Sequence, residues 1–144
     1  MSIDVHYSSK TQEWETPIDL FSVLDNEFGF SLDACASPKN AKCASFFTRE
    51  DNGLEKSWSG IVWLNPPYGR EIGRWIEKAD QEVLNGITIV ALVPARTDTR
   101  WWHRIVMKHE VRFLRGRLYF KDDRGNCGRA PFPSAVVVMR PAAA

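Results

Sequence analysis

Residues 87–93, aliphatic but for Thr88, form the most strand-like run in the chain, and Pro94 closes it. A strand with one wet face alternates apolar and polar residues. A run with no polar face is buried on both sides, as in a parallel sheet covered by helices. Proline cannot donate to a central ladder, so the run must stop there. It is also far short of the roughly 18 residues that a membrane span requires.

The rest of the chain fits around that strand. Thr16 is a good N-cap for a helix, with Pro17 at its first position and Asp19 three residues after the cap. Leu20, Phe21, Leu24 and Phe28 then recur at helical spacing, and Gly29 ends the pattern. Residues 30–35 predict a short buried strand, 44–47 a second and 61–64 a third, which stops at Pro66 and Pro67. Over 71–84, Ile72, Trp75, Ile76, Ala79 and Val83 share one helical face, closed by Asn85 and Gly86. A short helix is predicted near 99–107 and strands at 111–114, 117–120 and 134–139. Residues 121–129 predict a charged loop. The order predicts an α/β fold, mainly parallel at its centre, with an antiparallel closing edge. A single domain is expected over residues 1–144, with 1–12 and 141–144 loose.

Composition narrows the class. Hydrophobic residues at 44% and charged residues at 26% mark a globular chain and exclude a disordered one. Nothing at the N-terminus resembles a secretory signal, so a cytoplasmic location is expected. Cys35, Cys43 and Cys127 form no C-x-x-C pair, and His6, His103 and His109 are scattered, so no metal site is expected. Residues 96–117 hold seven basic residues against two acidic ones, a net +5 where the whole chain carries +1. Such a stripe suits either a phosphate backbone or a solvated surface.

The chemistry concentrates at Leu64-Asn65-Pro66-Pro67-Tyr68-Gly69, at the end of a buried strand. Ligands of open α/β sheets bind beyond the carboxyl ends of the strands. There the Asn65 side-chain oxygen and the Pro66 carbonyl can accept both hydrogens of one amino group. An aromatic exocyclic amine is a poor nucleophile because its lone pair is delocalised. Two such bonds favour a tetrahedral nitrogen and stabilise the positive charge that builds on it. Tyr68 is expected to offer a flat face to an extruded base. The plain alternative is a rigid strand-ending turn, since Asn-Pro commonly starts turns.

Asn65 to Tyr68 match the catalytic motif of amino-group methyltransferases. The longer context resembles the phage DNA adenine methyltransferase family: Glu13 to Pro17, Leu32 to Ala36, Phe47 to Leu54, Val62 to Gly69, Val93 to Thr99, Leu114 to Leu118 and Ala130 to Ala135. This resemblance implies a trimmed Rossmann-like methyltransferase sheet, S-adenosylmethionine as donor and adenine in double-stranded DNA as acceptor. It places the catalytic loop at Asn65, Pro66, Pro67 and Tyr68. Asp33, Ala34, Cys35 and Ala36 resemble the loop beside the methionine part of the cofactor. Asp51, Asn52 and Gly53 become candidates for its ribose or adenine. Thr16 and Pro17 resemble a segment that closes over it, although helix capping explains them equally. Arg96, Arg100, Arg115 and Arg117 are the candidate phosphate contacts. The cofactor loop lacks the glycines usual in this superfamily, and the stretch between Cys35 and Ala44 is short for a crossover helix. Larger enzymes have a target-recognition domain, and no comparable insertion is visible. Base reading is assigned to loops near 96–102 or 121–129. Two other acceptors remain compatible with the motif, adenine in RNA and a protein glutamine, as does a non-catalytic DNA-binding module with the same fold.

Overall fold

The computed structural model describes residues 17–121 and 127–142. The first helix, α1, spans Ile18–Phe28. Pro17 stays extended outside it and its carbonyl accepts the Phe21 N–H at 3.1 Å. Pro17 is thus the N-cap and not the first helical residue; Thr16 lies outside the described residues. Gly29 ends α1 at φ 71°, a left-handed conformation that glycine adopts without strain.

The strands follow as β1 (Leu32–Asp33), β2 (Ser45–Phe46), β3 (Ile61–Leu64), β4 (Thr88–Pro94), β5 (Glu110–Phe113), β6 (Tyr119–Lys121), β7 (Cys127–Arg129) and β8 (Ser134–Met139). Helix α2 is Ile72–Val83 and α3 is Arg100–Arg104; single 3-10 turns occupy Gly53–Glu55 and Val106–Lys108. The main sheet has the order β2-β1-β3-β4-β8-β5. Strands β2, β1, β3 and β4 run parallel, and β8 is antiparallel to both β4 and β5. The expected fold class is therefore found, with β8 one strand inside the edge and β5 on it.

Burial explains the order. All six residues of β8 are buried, and so is β4 from Ile89 to Pro94. Two strands with no polar face occupy the middle, where helices and loops cover both sides. Helix α2 makes the crossover between β3 and β4 and buries Ile72, Trp75, Ile76, Ala79 and Val83, the face its spacing predicted. On the other flank, Phe21 of α1 sets its ring edge-on to Trp63 of β3, with centroids 5.4 Å apart.

Three expectations are corrected in detail. Strand β1 is two residues long; beyond it the Ala34 N–H donates to the Trp63 carbonyl at 3.1 Å and the Ala36 N–H to the Phe47 carbonyl at 2.9 Å. The connection to β2 contains no helix, in keeping with its short length. It folds into turns about Asn40, whose side chain accepts the Ser37 N–H at 2.8 Å. The helix expected over 99–107 breaks at Ile105 into α3 and a 3-10 turn. The charged stretch expected to be a loop contributes β7, which pairs with β6 as a separate antiparallel ribbon.

Candidate active site

The carboxyl ends of β1, β3 and β4 share one edge of the sheet, and a cleft with two lobes opens there. The first lobe, about 260 Å³, is lined by Asp33, Cys35 and Ala36 from the β1 loop, Arg49 and Glu50 after β2, and Asn65 and Pro67 after β3. The second, about 370 Å³, shares Cys35, Ala36, Arg49 and Pro67 with it and adds Asn52, Gly53, Glu71, Arg74 and Trp75. The second lobe falls within the roughly 300–1,000 Å³ of small-molecule sites and the first just below it.

Asp33 organises the first lobe. It is only 3% exposed. Its two carboxylate oxygens accept the N–H groups of Cys35 at 3.3 Å and of Lys42 at 3.0 Å, so one side chain ties both ends of the loop. Burial lifts its pKa to about 6, against the pull of those two bonds. A buried carboxylate in a cleft is suited to a cationic ligand, which would restore its charged form.

The second lobe rests on a close backbone approach. Gly53 is buried, and a Cβ there would collide with the Ala34 carbonyl and press on the Trp75 ring. Only glycine lets the 3-10 turn lie against the β1 loop. Asn52, at φ 55°, accepts the Leu54 N–H and enters the turn. The Trp58 indole N–H donates to the Gly53 carbonyl at 2.9 Å, and the Glu82 carboxylate accepts the Trp58 backbone N–H, which ties the turn to α2. Asp51 is not brought to the cleft. Its carboxylate accepts the Thr48 N–H and hydroxyl at 2.9 and 3.0 Å, which keeps its pKa below the ordinary value and closes the turn. The capping bonds occupy Oδ2 of the Asp51 carboxylate. Ala34 is fully buried behind the wall, and Pro17 lines neither lobe.

In the Asn65–Tyr68 loop, Asn65 and Pro67 face the first lobe, whereas Pro66 and Tyr68 are buried. The Tyr68 hydroxyl lies 2.7 Å from Asn65 Oδ1 and 3.0 Å from the Leu92 carbonyl oxygen, with one proton to share between them. The register explains this. Leu64 pairs with Ala91, so a continued strand would offer the N–H of residue 66 to Leu92. Residue 66 is proline and has none. The Tyr68 hydroxyl takes its place, and burial holds the phenol well above its usual pKa, so it stays neutral. The stacking face expected of Tyr68 is covered. Phe120 and Phe132 meet the ring edge-on at 6.3 and 5.6 Å, and Tyr68 serves here to hold Asn65.

The basic stripe divides. Arg96 is half-buried and donates to the Tyr68 carbonyl at 3.2 Å, bracing the catalytic loop from beyond β4. Arg112 makes two 2.7 Å bonds to Glu27 and one of 2.6 Å to Glu110, and Lys108 pairs with Asp80 at 2.9 Å. Those two cations join elements of the fold. Arg100, Arg115 and Arg117 are exposed. Trp102 is buried in the core, and Trp101 packs against it. Among the described residues no cluster of His, Cys, Asp or Glu could hold a metal, and no helix is long and apolar enough to cross a membrane. The sequence reading missed Arg49, Glu50, Glu71, Arg74 and Trp75 as cleft residues. Trp75 reads as packing from its place on the apolar face of α2; Arg49 and Glu50 lie in the Phe47 to Leu54 stretch with no role assigned to them, and Glu71 and Arg74 carry no motif.

The family model described as DNA N-6-adenine-methyltransferase (Dam) matches residues 6–143. The chain is 36% identical over 92 residues to the DNA N-6-adenine-methyltransferase of Escherichia phage T1, a match covering 62% of this chain and 38% of that protein. It is 34% identical over 96 residues to the enzyme of the same name from Haemophilus phage HP1, covering 65% of this chain and 56% of the relative. The matched stretches thus span less than two thirds of either phage protein.

Proposed function

The chain belongs to the DNA N-6-adenine-methyltransferase family, and on that premise we propose that it transfers a methyl group from S-adenosylmethionine to the exocyclic amine of adenine in double-stranded DNA. One observation supports this reading above the others: Asn65, at the end of a central parallel strand, faces the same cavity as the buried carboxylate of Asp33.

The cleft fits such a cofactor. It is elongated, has a buried acid at one end, and at the other is bordered by Trp75, whose buried indole N–H lacks a hydrogen-bond partner among the described residues. Asp33, Cys35 and Ala36 would hold the amino-acid and sulfonium part, and Asn52 and Gly53 the nucleoside part. Bound there, the cofactor supplies an electrophilic methyl group whose transfer leaves a neutral thioether.

The protein's own part is to present the nucleophile. The Asn65 side-chain oxygen and the Pro66 carbonyl accept the two amine hydrogens, which turns the nitrogen lone pair towards the cleft. As the nitrogen–methyl bond forms, the same two oxygens stabilise the charge on nitrogen. The resulting ammonium is acidic and gives its proton to water, so no strong base is required. Tyr68 and Arg96 keep the loop in place, which preserves the proximity term.

The test is transfer of labelled methyl to unmethylated duplex DNA, followed by digestion to nucleosides. The expected product is N(6)-methyladenine, lost in Asn65→Ala with cofactor affinity unchanged. Label in RNA or protein alone, or a large loss of cofactor affinity in Asn65→Ala, would refute this assignment.

A further inference from the structure

Strand directions place one more element beside the catalytic loop. Strand β4 ends at Pro94, β8 begins at Ser134 opposite it, and β5 ends at Phe113 opposite Ala135. All three points lie on the sheet edge where β3 delivers Asn65. Residues 114–133 therefore leave and rejoin the sheet at the catalytic edge. This excursion carries the ribbon of β6 and β7.

The ribbon has two unlike faces. Phe120 is buried and sets its ring against Tyr68 and Phe132. Its cross-strand partner is Gly128, also buried, which leaves that face to the one aromatic ring. Alternation puts Tyr119 on the opposite face, with Arg129 directly across from it. Both are exposed, Tyr119 by 66%. A large aromatic left in water beside a cation is an ordinary way to hold a nucleic-acid strand: the ring stacks on a base and the guanidinium meets a phosphate. Charge agrees. Residues 114–133 contain five basic and two acidic residues, a net +3 in a chain whose total is +1. Exposed Arg115 and Arg117 flank Gly116 at the start of the excursion.

We propose that the outer face of this ribbon, centred on Tyr119 and Arg129, binds the DNA strand flanking the target adenine. This rests on the reading of DNA as substrate. The ribbon supplies a surface on the sheet edge that carries Asn65, and Phe120 couples it to the Asn65–Tyr68 loop through its contact with Tyr68.

The experiment measures binding of the full chain to an unmethylated duplex oligonucleotide by fluorescence anisotropy, together with KM for the same DNA and affinity for S-adenosylmethionine. Tyr119→Ala and Arg129→Ala should each weaken DNA binding about 10-fold, as loss of a stacked base or a phosphate contact does. KM for DNA should rise in step while cofactor affinity holds. Tyr119→Phe keeps the ring and should bind like the parent chain. Unchanged DNA affinity in both alanine variants, with a parent chain that binds, would overturn the ribbon's role and leave the proposed reaction standing. A parent chain that neither binds nor methylates DNA would overturn both.

Discussion

Tyr68→Phe isolates a single hydroxyl in the catalytic loop. The ring stays, so its packing on Phe120 and Phe132 is kept. What is lost is the hydroxyl's hydrogen bond to the Leu92 carbonyl and its contact with Asn65 Oδ1. Leu92 is fully buried, and Pro66 has no N–H with which to replace that donor. Leaving one buried carbonyl unpaired costs about 1–3 kcal/mol. For a domain of this size each kcal/mol lowers Tm by roughly 2–4 °C. Calorimetry should therefore show a fall of about 2–12 °C. Methyl transfer should fall about 10-fold in kcat, because Asn65 loses an anchor worth of order 1 kcal/mol or more. Cofactor affinity should not change, since Tyr68 lines neither lobe of the cleft. An unchanged Tm would show that the hydroxyl does not replace the missing Pro66 donor. A fall in Tm with unchanged kcat would refute its part in holding Asn65.

Three further outcomes follow from the same geometry. Burial raises the Asp33 pKa from the ordinary carboxylate range to about 6, so the folded chain retains that proton between about pH 4 and pH 6 while the unfolded chain has lost it. The Asp33 contribution to stability thus falls as pH rises through that window. Binding of the cationic cofactor should strengthen over the same range and become flat with pH in Asp33→Asn; titration calorimetry showing equal slopes for both would refute the role. Gly53→Ala forces a methyl group into the Ala34 carbonyl, which should cost about 1–3 kcal/mol in urea unfolding and weaken cofactor binding. Arg115→Ala should weaken DNA binding and reduce its salt slope by about 1, and an unaltered slope would remove Arg115 from the phosphate contacts.

Much of the frame was legible because it depends on near neighbours in the chain. The aliphatic run of β4 has no wet face, so the sequence alone places it centrally; the similar run of β8 reads only as a closing strand, and pairing on both sides puts it inside the edge. The 3.6-residue spacing of Ile72, Trp75, Ile76, Ala79 and Val83 set the buried face of α2 before any partner was known. The prolines after Asn65 end β3 at Leu64, since a proline cannot extend a central ladder, and so leave Asn65 at the strand's carboxyl end.

The tertiary structure decided which polar side chains remain available, because a side chain's partner is set by the fold and not by its neighbours in sequence. Arg112 looked like one more cation in a stripe until α1 brought Glu27 within 2.7 Å of it. Asp51 and Asp33 are the same residue type. One caps an exposed turn and ionises readily; the other is buried at a cleft and resists ionisation. Tyr68 stood in the motif as a stacking surface, and the register of β3 against β4 turned it into the donor that Pro66 could not be. The β6–β7 ribbon was legible only in its first strand, which the run at 117–120 predicts; β7 lies in a charged stretch that reads as a loop. The ribbon acquires a buried face only where Phe120 meets a ring from the catalytic loop.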